Sequence, residues 1–242
     1  MAATAVFAAI PATVRLVTPG RRRLHANVGA SACRAWGRTL CAILNIRREV
    51  AGTLPAEGVF LVAANHLSYV DILVLGSLYR SVFLAKREIA SWPLFGWIAR
   101  GAGTLFVDRD QPKDIVRAAR EMSERLDLGV SLTIFPEGRS TRGTEILPFQ
   151  APLLEPAARA GIPCWSASIS YDTPGTAVAP SATVCWYDSQ NFPRHFLRLA
   201  GVSHVVAHVR FAEDPVVSKD RKVLARELWE QTASTFVPVR QT

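Results

Sequence analysis

Short apolar runs alternate with helical stretches along the chain after Gly52, and this alternation predicts an α/β domain. The apolar runs predict strands at residues 59–63, 82–85, 104–107, 131–135, 164–170, 182–186 and 205–211. Helices are expected at residues 70–79, 93–99, 112–126, 153–160 and 218–236. The last of these begins at Ser218, a favourable N-cap residue. The pattern thus predicts about seven strands flanked by helices.

The chain before this domain has a different pattern, in which basic residues lie among apolar ones at helical spacing. Residues 24–46 predict one amphipathic helix, because Trp36, Leu40 and Ile43 recur at helical spacing while Arg34 lies on another face. Such a helix can lie in a bilayer interface or dock on its own domain, and the pattern alone leaves both alternatives open.

A boundary is therefore expected near residue 50. Residues 1–50 are interpreted as basic, amphipathic helices that associate with a membrane, and residues 51–242 as the α/β domain. The run Arg21-Arg22-Arg23 lies between two apolar segments, which favours contact with an anionic membrane surface. No stretch has the roughly 20 apolar residues that a spanning helix needs, so no transmembrane helix is expected.

Charge and cysteine content narrow the class of protein. The formal net charge is +8 and the pI about 9.9, which favours an anionic partner. Basic stripes interleaved with aromatic residues are not found, so we expect no nucleic-acid partner. The four cysteines have no metal-like spacing, which indicates free thiols in a reducing compartment and no metal site. We expect a protein at the cytoplasmic face of a membrane.

The stretch "NHLSYVD" contains the first candidate site, formed by His66 and Asp71. Ser68 and Asp71 have the spacing of a capping box, which is a purely structural explanation for the aspartate. A carboxylate in the first helical turn also points back toward the preceding loop, where it could orient the His66 imidazole as a general base. The stretch by itself is compatible with either interpretation.

Further candidates lie at the ends of other predicted strands. Arg109 lies near the end of the stretch "GTLFVDRD", and Lys86 follows the strand predicted at 82–85. Glu137, Gly138 and Arg139 belong to "FPEGRST". Arginine matches phosphate oxygens in a bidentate manner, so a phosphate pocket is one interpretation. The alternative is that Arg109 and Arg139 are ordinary surface charges paired with neighbouring carboxylates.

Taken together, these stretches resemble the 1-acylglycerol-3-phosphate acyltransferase family of glycerolipid acyltransferases. "NHLSYVD", "GTLFVDRD" and "FPEGRST" are similar to its first three sequence blocks, in the same order, and "GIPCWSASI" is a weaker match to the fourth. The resemblance covers residues 59–169. It implies a mixed sheet flanked by helices and N-terminal helices that contact a membrane.

The resemblance also implies an activity and roles for the site residues. His66 would take the proton from the acceptor hydroxyl and Asp71 would orient the imidazole. The acceptor would be bound by Arg109, Glu137, Gly138, Arg139 and Lys86. The donor would be an acyl thioester of coenzyme A or acyl carrier protein, with no cofactor. The expected product of acylating 1-acyl-sn-glycerol 3-phosphate is phosphatidate.

Two departures from the family pattern bear on the acceptor. Gln150 stands where a basic residue is common, with Pro152 where glycine is common, and Trp165 and Ser166 stand where the fourth block commonly repeats a proline. These differences leave a lyso-aminolipid such as lyso-ornithine lipid as an alternative acceptor. A more remote alternative is a membrane-binding module without catalytic activity.

Overall fold

A computed structural model describes residues 2–18, 20–56, 58–91, 95–108, 111–188 and 190–241 of the protein. The described helices are α1 Ala2–Val17, α2 Arg22–Ile43, α3 Val70–Leu78, α4 Phe95–Gly101, α5 Pro112–Asp127, α6 Glu155–Ala160, α7 Pro180–Thr183, α8 Phe192–Ala200 and α9 Arg221–Thr235. The strands are β1 Ile46–Ala51, β2 Leu61–Ala64, β3 Val82–Lys86, β4 Leu105–Val107, β5 Leu132–Ile134, β6 Cys164–Asp172 and β7 Val205–Phe211. Short 3-10 helices cover Arg87–Ser91 and Ala151–Leu154.

The strands form one mixed sheet in the order β1-β7-β6-β2-β5-β3-β4. Strands β6, β2, β5, β3 and β4 run parallel to one another, whereas β7 is antiparallel to β6 and parallel to β1. The predicted mixed sheet of about seven strands flanked by helices is therefore confirmed. Because these five strands are parallel, their carboxyl ends lie at one edge of the sheet, where open α/β sheets commonly bind ligands.

The central strand β2 is apolar at every position because it is covered on both faces. Val62 and Ala64 belong to the core on the face that carries α2 and α3. Leu61 and Ala63 belong to a second core with residues of α5, α6 and α9. Two helical layers thus bury the sheet and leave its edges for loops.

The strand predicted at residues 182–186 is wrong. Pro180 begins α7, and the following segment crosses the carboxyl edge of the sheet without joining it. Its apolar residues Val184 and Cys185 are fully buried in the core, and a short apolar run of this kind is also typical of a buried strand. Proline at the first helical position favours the start of a helix, which explains why α7 begins at Pro180. The burial of Val184 and Cys185 comes from packing against the core and not from strand pairing.

The seventh strand is instead β1, which was not predicted; only its first residue, Ile46, lay within a predicted element, as the end of the helix expected at residues 24–46. It lies at the edge of the sheet and pairs only with β7 among the described strands. All of its residues except Ile46 are exposed, so its sequence IRREVA lacks an apolar face that would have indicated a strand. The boundary expected at residue 50 falls inside β1, and the division into a membrane-associating part and a catalytic domain stays a prediction.

The other predicted elements differ mainly at their ends. Helix α3 and helix α5 are within two residues of their predicted bounds. Helix α9 is capped by Asp220, whose carboxylate accepts from the Lys222 and Val223 amides, and not by Ser218. The start of the helix predicted at 93–99 falls partly outside the described residues, and α4 begins at Phe95.

Helix α2 docks on the α/β domain through small residues, as one of the two alternatives expected. Gly37 packs so closely on α3 that a Cβ at this position would lie 2.7 Å from the Leu73 carbonyl oxygen. Trp36 and Leu40 pack against the core, whereas Ile43 is exposed. None of the described helices combines the length and the apolar character needed to cross a bilayer.

The close approach at Gly37 generates a prediction about stability. Gly37→Ala should lower the free energy of unfolding by about 1–3 kcal/mol, because the added methyl group would meet backbone atoms of α3 that cannot move independently. Chemical denaturation of the purified protein measures the effect. Gly201→Ala is the matched control, since its Cβ would make only ordinary contacts at 3.4 Å or more. Equal stabilities of the two variants would contradict the packing argument.

Candidate functional site

The predicted site residues lie at the carboxyl edge of the parallel strands. His66 follows β2, and Glu137, Gly138 and Arg139 follow β5, the strand that pairs with β2. Lys86 ends β3 on the other side of β5. The chain thus brings its first and third sequence blocks together because two neighbouring parallel strands end there.

His66 and Asp71 form a direct pair. The Nδ1 atom of His66 lies 2.8 Å from Oδ2 of Asp71, so the carboxylate accepts the Nδ1 proton. The imidazole also stacks on the Phe135 ring, with the centroids 4.1 Å apart and the planes 15° from parallel. The Nε2 atom has no hydrogen bond within the part of the chain that the structure describes. The pair therefore holds the tautomer whose Nε2 lone pair can accept a proton.

Asp71 is also a structural cap, so both interpretations of this residue apply. Its Oδ2 accepts from the backbone amides of Leu67 and Ser68 at 2.7 and 2.9 Å, just before α3 begins. The Ser68 hydroxyl does not complete the predicted capping box, because it is buried without a partner. Of the two hydrogen bonds expected in a capping box, only the one accepted by the Asp71 carboxylate is present, and the same Oδ2 atom also accepts from His66.

Tyr171 completes the environment of Asp71 and was not found from the sequence. Its hydroxyl, on β6, donates to Oδ1 of Asp71 at 2.6 Å across a separation of 100 residues. Burial and the neighbouring Asp71 charge raise the pKa of Tyr171 well above its ordinary value, so it stays a proton donor. The only signal in the sequence is an aromatic residue with a polar tip on a strand in which serines alternate with apolar residues.

Asn65 is a second residue that sequence analysis missed. Its side-chain amide donates to the Ile169 carbonyl and accepts from the Ile169 amide, at 3.0 and 2.7 Å. The side chain thereby substitutes for backbone pairing where β2 ends and the loop to His66 begins. This contact anchors the loop to β6, next to the strand position that carries Tyr171.

Glu137 ties the third-block loop to the first. Its two carboxylate oxygens accept from the His66 amide at 2.6 Å and the Leu147 amide at 2.7 Å, and the residue is 4% exposed. Burial raises the pKa of Glu137 to about 7, while the two amide donors and Arg139 act in the opposite direction. These contacts favour a positioning role, and the predicted contact of Glu137 with an acceptor stays a prediction.

Three further hydrogen bonds hold the same loops together. The Thr141 amide donates to the His66 carbonyl at 2.9 Å, so the His66 backbone is held on both sides by the third block. The Trp186 amide donates to the Leu67 carbonyl, and the Trp186 carbonyl accepts from the Ser140 hydroxyl. The segment that was wrongly predicted as a strand therefore joins the two loops.

The basic residues predicted to bind the acceptor are only partly described. Arg139 is exposed and has no ion pair within the described residues, and Gly138 turns the loop with φ of +85°. Lys86 is exposed at the end of β3, with its ammonium 2.8 Å from a carboxylate oxygen of Glu88. Arg109 lies outside the described residues. The acceptor-binding assignments of these residues stay predictions.

The site offers a histidine that can accept a proton, whereas the cysteines of the chain are poorly suited to act as nucleophiles. All four cysteines are buried, and burial raises the pKa of each thiol above its ordinary value. A protonated, buried thiol is a poor nucleophile. The His66 imidazole, by contrast, lies at the sheet edge with 19% of its side chain exposed. It can accept a proton from a hydroxyl that reaches this edge.

With the fold and the pair established, comparison with known proteins identifies the class. The model of the Acyltransferase family matches residues 46–170, which include both loops and strands β1, β2, β3, β4 and β5. The chain belongs to this family and is an acyltransferase. The crystal structure of the 1-acyl-sn-glycerophosphate (LPA) acyltransferase PlsC from Thermotoga maritima has the same fold, with a TM-score of 0.60, 21% identity, and coverage of 99% of this chain and 96% of that one.

Relatives of two named activities resemble the chain to a similar degree. A lyso-ornithine lipid O-acyltransferase from Pseudomonas aeruginosa is 36% identical over 87% of this chain and 77% of its own length. A 1-acyl-sn-glycerol-3-phosphate acyltransferase from Neisseria meningitidis is 35% identical over 80% of this chain and 76% of its own length. Identity alone does not separate the two acceptors.

The buried carboxyl of Glu137 generates a prediction about pH. The folded protein holds this proton up to about pH 7, whereas the ordinary pKa is 4.5. Protonation therefore stabilises the folded state at low pH, and the free energy of unfolding contributed by Glu137 falls as the pH rises from about 4.5 to about 7. Denaturation of the protein and of Glu137→Gln at several pH values measures this slope as the difference between the two. A difference that stays constant across the window would contradict the assignment.

Proposed function

We propose that the protein is a lysolipid O-acyltransferase in which His66 is the general base and Asp71 orients it. The observation that carries this proposal is the 2.8 Å contact between Nδ1 of His66 and the buried Asp71 carboxylate, with Nε2 left to accept a proton. Membership of the Acyltransferase family supports the reaction class. The names of the relatives support a lysolipid as the acceptor.

The proposed reaction is a direct transfer. Nε2 of His66 removes the proton of the acceptor hydroxyl as its oxygen attacks the thioester carbonyl. The tetrahedral intermediate collapses with breakage of the carbon–sulfur bond, and the imidazolium returns the proton to the leaving thiolate. The Asp71 carboxylate favours the charged imidazole in between. The donor is an acyl thioester of coenzyme A or acyl carrier protein, and no cofactor is required.

The preferred acceptor is 1-acyl-sn-glycerol 3-phosphate, which would give phosphatidate. Arg139 and the turn at Gly138 lie on the loop that holds His66, and Arg139 has no ion pair among the described residues. This placement supports binding of a phosphate near the reacting hydroxyl. Lys86 on β3 and Arg109 after β4 would add positive charge at the same sheet edge. The four residues form the proposed acceptor site.

Lyso-ornithine lipid is a second candidate acceptor, favoured by one feature of the third-block loop. Gln150 is exposed, and its backbone amide donates to the Pro136 carbonyl at 2.9 Å, so the side chain extends from the base of that loop without a charge. A neutral residue here suits a head group that carries an amine better than it suits a phosphate. The Pseudomonas aeruginosa relative adds support for this acceptor.

We further propose that the N-terminal helices contact the cytoplasmic face of a membrane. Large apolar side chains are exposed at the end of α1 and on α4, among them Leu16 at 81% and Trp97 at 46%. The basic run at residues 21–23, which follows α1 in the chain, would attract anionic head groups. A lysolipid acceptor would then be available in the same bilayer.

Replacement of His66 tests the mechanism. His66→Ala should reduce the rate of thiol release from an acyl-CoA, or from acyl carrier protein, by about 10²–10⁴ because the general base is lost. His208→Ala, which removes a histidine of β7 paired with Glu49 of the edge strand β1, is the matched control and should keep the rate. A His66→Ala rate within about tenfold of the parent would contradict general-base catalysis by His66.

Replacement of Gln150 tests the choice of acceptor. If the acceptor phosphate lies near this loop, Gln150→Lys should raise kcat/KM for 1-acyl-sn-glycerol 3-phosphate by about three- to tenfold, through one added charge-assisted contact. The same variant should not raise kcat/KM for lyso-ornithine lipid, whose amine would repel the lysine. Turnover of lyso-ornithine lipid alone by the parent protein would move the function to the second candidate.

A further inference from the structure

A polar cleft lies between α2 and the amino ends of three strands. Its volume is about 330 Å³. Asn27 and Arg34 line it from α2, Arg80 lines it from the turn after α3, and Gly129 and Ser131 line it from the segment before β5. The volume lies within the range of small-molecule pockets in proteins.

This cleft is separate from the site of His66. Phe60, Arg80 and Ser131 precede β2, β3 and β5, whereas His66 and Glu137 follow β2 and β5. Because these strands are parallel, the cleft and the candidate active site lie at opposite edges of the sheet. The four residues of β2 alone separate them by about 13 Å.

One face of α2 directs positive charge toward the cleft. Arg23, Asn27 and Arg34 follow one another at helical spacing. The Arg23 guanidinium reaches the Gly129 backbone, with Nη2 3.4 Å from where a side chain on Gly129 would begin. Arg80 approaches from the opposite wall. Two guanidinium groups therefore line the cleft, and a third lies beside its Gly129 wall.

These three arginines have no carboxylate partner within the described part of the chain. The ion pairs found there involve other residues, including Arg87 and Arg117 with Asp114. The Nε atom of Arg34 is buried and makes no hydrogen bond. Burial, with the charges of Arg38 and Arg80, lowers the pKa of Arg34, which indicates that positive charge is concentrated here without compensation.

We propose that the cleft binds a phosphate group through Arg34 and Arg80, with Arg23, the Asn27 amide and the Ser131 hydroxyl as further donors. A buried donor without a partner is unfavourable, and a bound anion would satisfy the Arg34 Nε atom. Guanidinium forks match phosphate oxygens, and several of them around one space favour a multiply charged anion. The phosphate can belong to an anionic lipid head group or to a soluble phosphorylated compound.

The test uses the full-length protein and inorganic pyrophosphate as the probe. Calorimetric titration should give saturable binding with Kd below about 1 mM, and Arg34→Gln and Arg80→Gln should each weaken it by about tenfold. Arg226→Gln, which removes an exposed arginine of α9, is the charge-matched control and should bind as the parent does. Absence of saturable binding, or equal binding by all four proteins, would overturn the proposal.

A further variant tests whether a carboxylate of the protein itself already occupies the cleft. Glu57 lies outside the described residues, between Ala56 and Gly58, which both line the cleft. If the Glu57 carboxylate already neutralised the arginines, only Glu57→Gln would bind pyrophosphate, and that result would overturn the proposal. Binding by the parent protein that Glu57→Gln changes by less than about threefold would support it.

Two further measurements distinguish the source of the phosphate and separate this proposal from the proposed function. Vesicles of phosphatidylcholine with phosphatidylglycerol are compared with phosphatidylcholine alone. Loss of vesicle binding in Arg34→Gln indicates a lipid head group, whereas unchanged vesicle binding with weakened pyrophosphate binding indicates a soluble ligand. Acyl transfer to detergent-dispersed lysolipid should persist in Arg34→Gln, because the cleft is remote from His66.

Discussion

The site depends on one buried carboxylate. Asp71 is fully buried, and four donors compensate its charge: the His66 imidazole, the Leu67 and Ser68 amides, and the Tyr171 hydroxyl. A buried charge is tolerated only when it is hydrogen-bonded, so removal of any of the four donors would destabilise the carboxylate. One side chain thus determines the tautomer of the histidine, the start of α3 and the distance from the loop to β6.

Acyl transfer of the proposed kind needs a base whose position does not change when the acceptor arrives. The backbone of His66 is held by Glu137 and Thr141 on one loop, and the adjacent Leu67 carbonyl is held by Trp186. These contacts come from three separate parts of the chain and meet at one sheet edge. The result is a preorganised imidazole that leaves only Nε2 available for chemistry.

The docking of α2 forms the cleft at the opposite edge of the sheet. Small residues such as Gly37 bring the helix against α3 and place its apolar side chains on the core. The same docking turns Arg34 into a cleft where it has no carboxylate partner among the described residues. In the proposed contact with a membrane, the exposed apolar residues of α1 and α4 and the basic run at residues 21–23 would face the bilayer, while the apolar side chains of α2 serve mainly internal packing.

The sequence by itself determined that His66 and Asp71 lie five residues apart around the start of a helix, a spacing that permits their contact. It also determined most strands and the acyltransferase class, because apolar runs and motif spacing are local properties. Only the tertiary structure decided that residues 182–186 join loops while the polar segment Ile46–Ala51 completes the sheet. Tyr171 likewise required the folded chain, because its contact with Asp71 depends on the parallel pairing of β2 with β6 across 100 residues, which no local pattern encodes.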